Sequence, residues 1–391
     1  MERTIIPSLS KVDSEDLNGR DATSTVLFIT NVAPHYREEL WRELAERYEN
    51  GLSLVFGKSK AGIKELDFQS ILNHNSNISR VKNIYLGRHL IYQLISLKLL
   101  FKRWDTVIIT GEVQVLSNWL YATYFRYFCF TRTVVWTHGL YGNESFLKRK
   151  MRVFFYSLFS YILVYNRRSK GLLLQEGLPL NKVSVIYNSF FYHFLKEKSA
   201  QVRKDIFKDN TSIFRLIFIG RITKQKNLEL VLEALVFLKE KHIKCEFHLI
   251  GSGSHLKNII NVARSKNVQE AIVHHGEIYD LNQSSKIIQK CHLGVSPGNV
   301  GLTAVHLISL GVPVVTHNDQ KRQMPEYEII RSGTTGSLFI KDNPLSLANE
   351  ILFWRRKLVS QNYPDSNEMR MEIDNYYNPR YQMSVIEQVI K

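Results

Sequence analysis

The stretch 218–227, FIGRITKQKN, ends an apolar, strand-like run at Gly220 and follows it with Arg221 and, five residues later, Lys226 at the mouth of a helical pattern. Glycine lets the backbone come close to a ligand, arginine can fork onto two phosphate oxygens, and lysine adds a compact positive charge; the set suits a diphosphate. Without a ligand the same residues read as a solvated strand-to-helix turn with two surface cations. A second stretch, 295–313 (VSPGNVGLTAVHLISLGVP), runs from a strand end through Pro297, Gly298, Asn299 and Gly301 into a helix that begins near Leu302 and stops at Gly311, with Pro313 beyond it. The amides of Gly301, Leu302 and Thr303 would then lie at a helix N-terminus, which favours negative charge by about 0.3–1 kcal/mol. A phosphate seat is the natural use of that turn, and a glycine turn that merely starts a helix is its plain alternative.

Both stretches need elements that aim them at one place. From residue 25 onward, short β-branched runs alternate with longer amphipathic segments: 25–30 (TVLFIT), 52–56, 106–110 (TVIIT), 133–137 (TVVWT), 162–165 and 183–187, with helical spacing over 37–48 and 90–101 between them. Parallel strands require such crossovers, so the rhythm predicts an α/β parallel sheet. The polar stretch 196–211 reads as a linker, after which the alternation restarts at 214–219, 245–250, 272–274, 293–295 and 312–316, with Leu228, Val231, Leu232, Leu235 and Leu238 on one helix face. The expected division is a loose tail over 1–23, a first Rossmann-like domain over 24–195, a linker over 196–211, a second such domain over 212–370, and a helical segment over 371–391 whose candidate docking partner is the first domain. Open parallel sheets bind ligands beyond the carboxyl ends of their strands, so two in tandem point to the cleft between them.

Bulk composition narrows the partners. The 391 residues are 44% hydrophobic and 23% charged, within the globular range and long enough for two cores. Cys129, Cys245 and Cys291 offer neither a disulfide framework nor a zinc spacing. Residues 1–23 hold no apolar run of signal-peptide length, so the expected location is cytoplasmic. The net charge of +16 calls for something anionic nearby, and the excess is interleaved with aromatics in 125–130 (FRYFCF) and 146–168 (FLKRKMRVFFYSLFSYILVYNRR). That mixture suits a helix resting on an anionic membrane surface, or equally the core of a large domain; the most apolar stretch, 113–130, is interrupted by Asn118 and Arg126, so peripheral attachment is expected over insertion. A nucleic-acid binder is disfavoured because none of the usual modules appears. A dinucleotide enzyme is disfavoured because neither 30–37 nor 251–256 pairs G-x-G-x-x-G with a following acid.

Taken in order, GR followed five residues later by K, then IGSG at 250–253, GLTAV, GVPVV, and TG at Thr335 and Gly336 resemble the group 1, family 4 glycosyltransferases of GT-B fold over roughly residues 25–339. The resemblance implies two Rossmann-like doubly wound parallel-sheet domains facing a central cleft, and a metal-independent, retaining transfer of a sugar from a nucleotide-diphosphate sugar. By resemblance Arg221 and Lys226 hold the donor diphosphate, and the amides of Val300, Gly301, Leu302 and Thr303 cradle its distal phosphate and the sugar. No DxD triplet occurs in the chain, and no metal or other cofactor is expected beyond the donor itself. Relatives carry two glutamates eight positions apart here; the aligned residues are Gly298 and His306, which with Asn299 are the expected donor sugar and ribose contacts. His306 reads equally as a satisfied helix histidine.

In the first half, His138 in WTHG resembles the family's cleft histidine and is the expected catalytic residue, shaping and polarising the reacting centre. Tyr36 and Arg37, in NVAPHYR, are the expected acceptor contacts or, equally, an aromatic and a cation that open the first helix, with Glu112 a further cleft carboxylate. Glu326 and Glu328 both answer to the relatives' Pro-Glu pair near the donor; Glu326 is preferred as catalytic. The basic aromatic segments and the expected cytosolic start point to a glycan or lipid-linked glycan acceptor in cell-surface polysaccharide assembly, on the cytoplasmic face of the membrane. The alternative, prompted by the missing glutamates, is a catalytically degenerate scaffold of a glycan assembly complex.

Overall fold

The structure is a computed structural model that describes residues 24–58, 64–66, 77–87, 90–111, 113–200 and 213–390. The expected tail over 1–23 and residues 201–211 of the expected linker therefore lie outside the described residues.

The first half comprises β1 (Val26–Thr30), α1 (Glu38–Arg47), β2 (Leu52–Gly57), β3 (Asn77–Val81), β4 (Asn83–Leu86), β5 (Leu90–Gln93), α2 (Leu97–Phe101), β6 (Thr106–Thr110), α3 (Leu116–Thr123), β7 (Arg132–Thr137), α4 (Phe146–Ser157), β8 (Tyr161–Val164), α5 (Arg167–Gln175) and β9 (Val183–Val185). After α6 (Tyr192–Ala200) the second half follows as β10 (Ile213–Ile219), α7 (Glu229–Glu240), β11 (Lys244–Ile250), α8 (Leu256–Ser265), β12 (Ile272–His274), α9 (Leu281–Ile288), β13 (Leu293–Ser296), α10 (Leu302–Ser309), β14 (Val314–His317) and β15 (Gly336–Phe339). Three helices close the chain: α11 (Pro344–Val359), α12 (Ser366–Tyr376) and α13 (Pro379–Val389).

Strands β3-β2-β1-β6-β7-β8-β9 form a seven-stranded sheet and β12-β11-β10-β13-β14-β15 a six-stranded one, both parallel throughout. Central strands such as β1, VLFIT, are buried at every position because helices cover both faces of a parallel sheet. Each order starts at a central strand, runs to one edge and returns to the other side, the doubly wound topology. Its switch point lies between β1 and β6 in the first sheet and between β10 and β13 in the second. The loops after those four strands carry most of the residues singled out in the sequence.

Three sequence expectations are corrected. The segment 90–101, read as one amphipathic helix, is a strand followed by a single helical turn and a half: β5 pairs antiparallel with β4, and the Gln93 amide donates to Ser117 Oγ at 3.0 Å. Its β-branched and aromatic residues find strand partners, and tertiary pairing overrides the helical period. The stretch 196–200, assigned to the linker, belongs to α6, which packs on α10 with Leu195 in the second domain's core. The change-over between lobes accordingly begins near Tyr187 rather than after residue 195.

At that change-over Tyr187 and Phe191 hold left-handed φ values of 51° and 41°, costing about 1–2 kcal/mol each for residues with a Cβ. Tyr187 lies against Tyr376, Tyr377 and Tyr381 with ring separations of 5.5, 4.8 and 5.7 Å. The chain then crosses back, and α13 packs on α1, sinking Met383, Val385, Ile386 and Val389 into the first domain's core. Each buried side chain contributes on the order of 1.5–3 kcal/mol. The turn before α13 is set locally: the Asn378 side chain accepts from the Tyr381 amide at 2.9 Å and Pro379 opens the helix.

Candidate donor and acceptor site

Three loops meet at the carboxyl end of the second sheet. Gly220 closes β10 at φ +140°, and a Cβ on Gly251 after β11 would stand 2.1 Å from the Gly220 carbonyl oxygen, so these two loops can pack directly only with glycine at 251. The turn 224–226 then lies against the loop after β13: a Cβ on Gly298 would stand 2.4 Å from the Gln225 carbonyl oxygen and 2.8 Å from Lys226 Cα. From that turn Lys226 Nζ donates to both the Asn299 carbonyl and Asn299 Oδ1, each at 2.8 Å. Burial lowers the Lys226 pKa and the neighbouring Arg221 charge lowers it further, which places the two cations within electrostatic reach of one another. Arg221 is exposed and has no hydrogen-bond or ionic partner among the described residues.

The loop leads into α10, whose first turn is tied back to β10 by Thr303 Oγ1 donating to the Ile219 carbonyl at 3.1 Å. Of the four amides expected to cradle phosphate, Val300 is already engaged, donating to Gln323 Oε1 at 2.8 Å. Gln323 is buried and its amide nitrogen donates to Thr316 Oγ1 and the His317 carbonyl, both at 2.9 Å. The amides of Gly301, Leu302 and Thr303 have no acceptor among the described residues and stand at the positive end of α10. Asn299, expected at the donor sugar or ribose, also anchors Lys226 through its carbonyl and Oδ1. His306 is 5% exposed with its ring 4.9 Å from that of Phe190 and Nε2 buried without a partner. Burial lowers its pKa to about 4. It is therefore neither open to the cleft nor a satisfied helix histidine.

At the carboxyl end of the first sheet a cavity of about 380 Å³ straddles the switch point. Thr30 at the end of β1 lines it, with Tyr36 and Arg37 after β1, Gln114 after β6, and His138 and Tyr141 after β7. Arg37 was expected to be presented to an acceptor, yet its side chain is buried and fixed: Nη2 donates to Tyr165 Oη at 2.5 Å and the guanidinium lies 4.7 Å from the Trp136 ring. The His138 ring is 4.7 Å from Tyr165 and 6.1 Å from Tyr141. Burial, helped by the Arg37 and Arg152 charges, lowers its pKa to about 4, so the imidazole is neutral at pH 7, and Nδ1 is buried without a partner. Glu112 lies outside the described residues.

The segment Pro325–Ile329 bridges the lobes and separates the two glutamates. Glu326, 4% exposed, accepts at Oε1 from Asn188 Nδ2 at 3.0 Å, while Oε2 is buried without a partner and lies 3.8 Å from where a Gly301 Cβ would be. Burial raises its pKa, and the Asn188 bond and the Arg37 charge oppose that rise. Glu328 instead accepts from the amides of Arg167 and Arg168 at 2.9 and 2.8 Å, capping α5 of the other lobe. The structure thus brings Arg221, Lys226, Glu326 and the open amides of 301–303 to one end of the second sheet, and Tyr36, Arg37 and His138 to the facing end of the first. Sequence reasoning missed Asn188, Gln323 and Tyr165, polar residues whose partners are more than twenty positions away or reached only through loops. Among the described residues, no group of three or more His, Cys, Asp or Glu side chains is placed to hold a metal ion.

The model of the family "Glycosyl transferases group 1" matches residues 201–369. The Escherichia coli O-antigen biosynthesis glycosyltransferase WclY is 23% identical over 214 residues, which are 51% of this chain and 57% of that protein, so the match spans little more than half the relative's length. Among solved structures, the lipopolysaccharide outer core galactosyltransferase WaaB superposes with a TM-score of 0.67 at 14% identity, covering 93% of this chain and 99% of that one. Anabaena Alr3699/HepE in complex with UDP gives 0.67 at 16% identity, covering 93% and 99%. Residues 201–369 match the group 1 glycosyltransferase model, and the chain as a whole has the two-domain GT-B fold of the solved glycosyltransferases it resembles.

Proposed function

We propose that this chain, a member of family 4, transfers a sugar from a nucleotide-diphosphate sugar to a glycan or lipid-linked glycan acceptor, without a metal ion and with retention of anomeric configuration. The observation that carries the reading is Lys226, pinned on Asn299 beside Arg221 at the mouth of α10. A nucleoside diphosphate leaves readily when its growing negative charge meets cations and amide dipoles already in position. Arg221, Lys226 and the amides of Gly301, Leu302 and Thr303 supply that field. As the bond from the anomeric carbon to the diphosphate breaks, the acceptor oxygen bonds to the same face of that carbon and its proton passes to the departing phosphate oxygen. Neutral His138 and the cavity around Arg37 position the acceptor, and Glu326 holds a donor hydroxyl through its unpartnered Oε2.

WclY is named for O-antigen biosynthesis and WaaB for the lipopolysaccharide outer core, which supports a role in cell-surface polysaccharide assembly on the cytoplasmic face of the membrane. No helix among the described residues is long and apolar enough to cross a bilayer, and attachment is read as peripheral. The test is a screen of nucleotide sugars with membrane lipid extract, following nucleoside diphosphate release and the anomeric configuration of the product by NMR. Absence of release with every donor and acceptor would sink the reading. One observation favours a non-catalytic scaffold: backbone of the 225–226 turn fills the space that a side chain at Gly298 would need. Calorimetry with UDP, GDP and dTDP separates the two, since a scaffold need bind none of them.

A further inference from the structure

Helices α2, α3 and α4 cover one face of the first sheet, seating Tyr121, Phe125, Phe155 and Tyr156 in a shared core. Having met the core, α4 still shows a second apolar stripe on its outer side. Leu147, Met151 and Phe154, at i, i+4 and i+7, are 78%, 45% and 61% exposed, and Phe146 at its start is exposed as well. A helix that packs through one face ordinarily presents polar residues on the other. The stripe continues onto α3, where Trp119 lies 6.1 Å from the Phe154 ring and Leu120 is exposed. Beyond it the π-helical turn Tyr124–Phe128 exposes Tyr127 and Phe128, and Phe130 follows. A groove of about 920 Å³ then joins Phe128 and Phe130 to Phe101, Lys102 and Arg103 at the end of α2.

The charge on this layer is predominantly positive, with Asp105 in the groove and Glu176, paired to Arg149 and Lys150, as acidic members. Segments 94–104, 119–130 and 146–154 together hold eight Lys and Arg and no Asp or Glu. Exposed bulky apolar groups ringed by cations match an anionic lipid surface, where the rings enter the acyl boundary and the cations meet headgroup phosphates. An acidic protein partner would meet the cations but gain less from so broad an apolar layer. The layer also begins at the lip of the first-domain cavity: Tyr141 lines the cavity, its amide is held by Glu144 at 2.8 Å, and Arg152 of α4 donates to the Gly139 carbonyl at 2.9 Å. A bilayer docked there would present a membrane-borne molecule to the cavity mouth.

We infer that the outer face of α2, α3 and α4 is a docking surface for an anionic lipid bilayer. This rests on the peripheral attachment proposed above, goes beyond the transfer reaction and needs no donor to test. The full chain is floated with vesicles of phosphatidylcholine and phosphatidylglycerol, with pure phosphatidylcholine as the comparison. Wild type binds the anionic vesicles more strongly, and added salt weakens the binding. Leu147→Glu with Phe154→Glu lowers partitioning by about tenfold or more, and Lys98→Glu with Lys148→Glu, both exposed, lowers it several-fold while the melting temperature holds. Val359→Glu, an exposed apolar position in the second domain, leaves it unchanged. Nucleotide calorimetry on the same variants stays at the wild-type value, so failure of the donor site and failure of the docking face read out separately. Absence of wild-type binding, equal binding by the apolar pair, or a wild-type dimer that the apolar pair converts to monomer without any vesicle binding overturns the inference, the last by assigning the face to a second copy.

Discussion

Replacing Lys226 by Met keeps most of the stem volume and removes one charge. In the structure the ammonium makes two hydrogen bonds of 2.8 Å to Asn299 and is partly buried, so it is held in place before any ligand arrives. At an effective dielectric of about 20, a unit charge about 4 Å from a developing negative charge is worth about 4 kcal/mol. Arg221 and the α10 amides remain in the variant, and loss of one pre-aimed donor from such a set costs about 10²–10³ in kcat. Lys226→Met is therefore expected to lower kcat/KM by about two to three orders of magnitude, with most of the loss in kcat. Lys224→Ala, an exposed cation in the same turn, is expected to stay within about twofold, since exposed charges couple weakly. The assay is nucleoside diphosphate release with an active donor, alongside calorimetry of the free nucleotide. A folded Lys226→Met protein that turns over within a few-fold of wild type refutes the placement of the diphosphate.

Restoring the relatives' glutamate by Gly298→Glu is expected to weaken nucleotide binding, because its Cβ would collide with the backbone at Gln225 and Lys226; tighter binding by calorimetry would contradict this. His306 titrates near 4 when folded against 6.5 as its ordinary value, so the unfolded chain takes up a proton first as pH falls. The neutral histidine's contribution is complete above about pH 6.5 and is lost as pH falls towards 4, a loss of about 3 kcal/mol. In His306→Phe the denaturation midpoint should fall less between those pH values than in wild type, and an unchanged slope would exclude His306 as the source. Glu328→Ala removes the cap that the second lobe places on α5, and a loss of about 1–2 kcal/mol is expected in urea unfolding at pH 7. Equal midpoints would mean that water replaces the carboxylate without cost.

Much of the architecture is legible in one dimension because parallel strands buried on both faces must be apolar runs, and such runs recur from 25 to 316. The strands that were missed lack that signature. β3, NISRV, is an edge strand with a largely polar composition, and β15, GSLF, is short and opens with glycine. The hairpin of β4 and β5 escaped because its apolar residues suit a helix and a strand equally until a pairing partner is known. At the site, Arg221, Lys226 and the open amides of 301–303 were readable because glycine and cation spacing around a strand end is local. Asn188, Gln323 and Tyr165 carry no local signature. Each matters through a partner that only folding supplies: Glu326 for Asn188, the Val300 amide for Gln323, and Arg37 for Tyr165.

From the residues alone came the two parallel-sheet lobes, the cationic turn, the glycine-led helix start and the basic aromatic segments, all properties carried within a few neighbouring positions. Only the tertiary structure decided that Asn299 holds Lys226, that His306 lies under Phe190, that Glu326 and Glu328 face different partners, and that α4 turns an apolar stripe outward. Those outcomes depend on which surfaces of distant segments meet, and desolvation and hydrogen-bond geometry take their values only once those contacts exist.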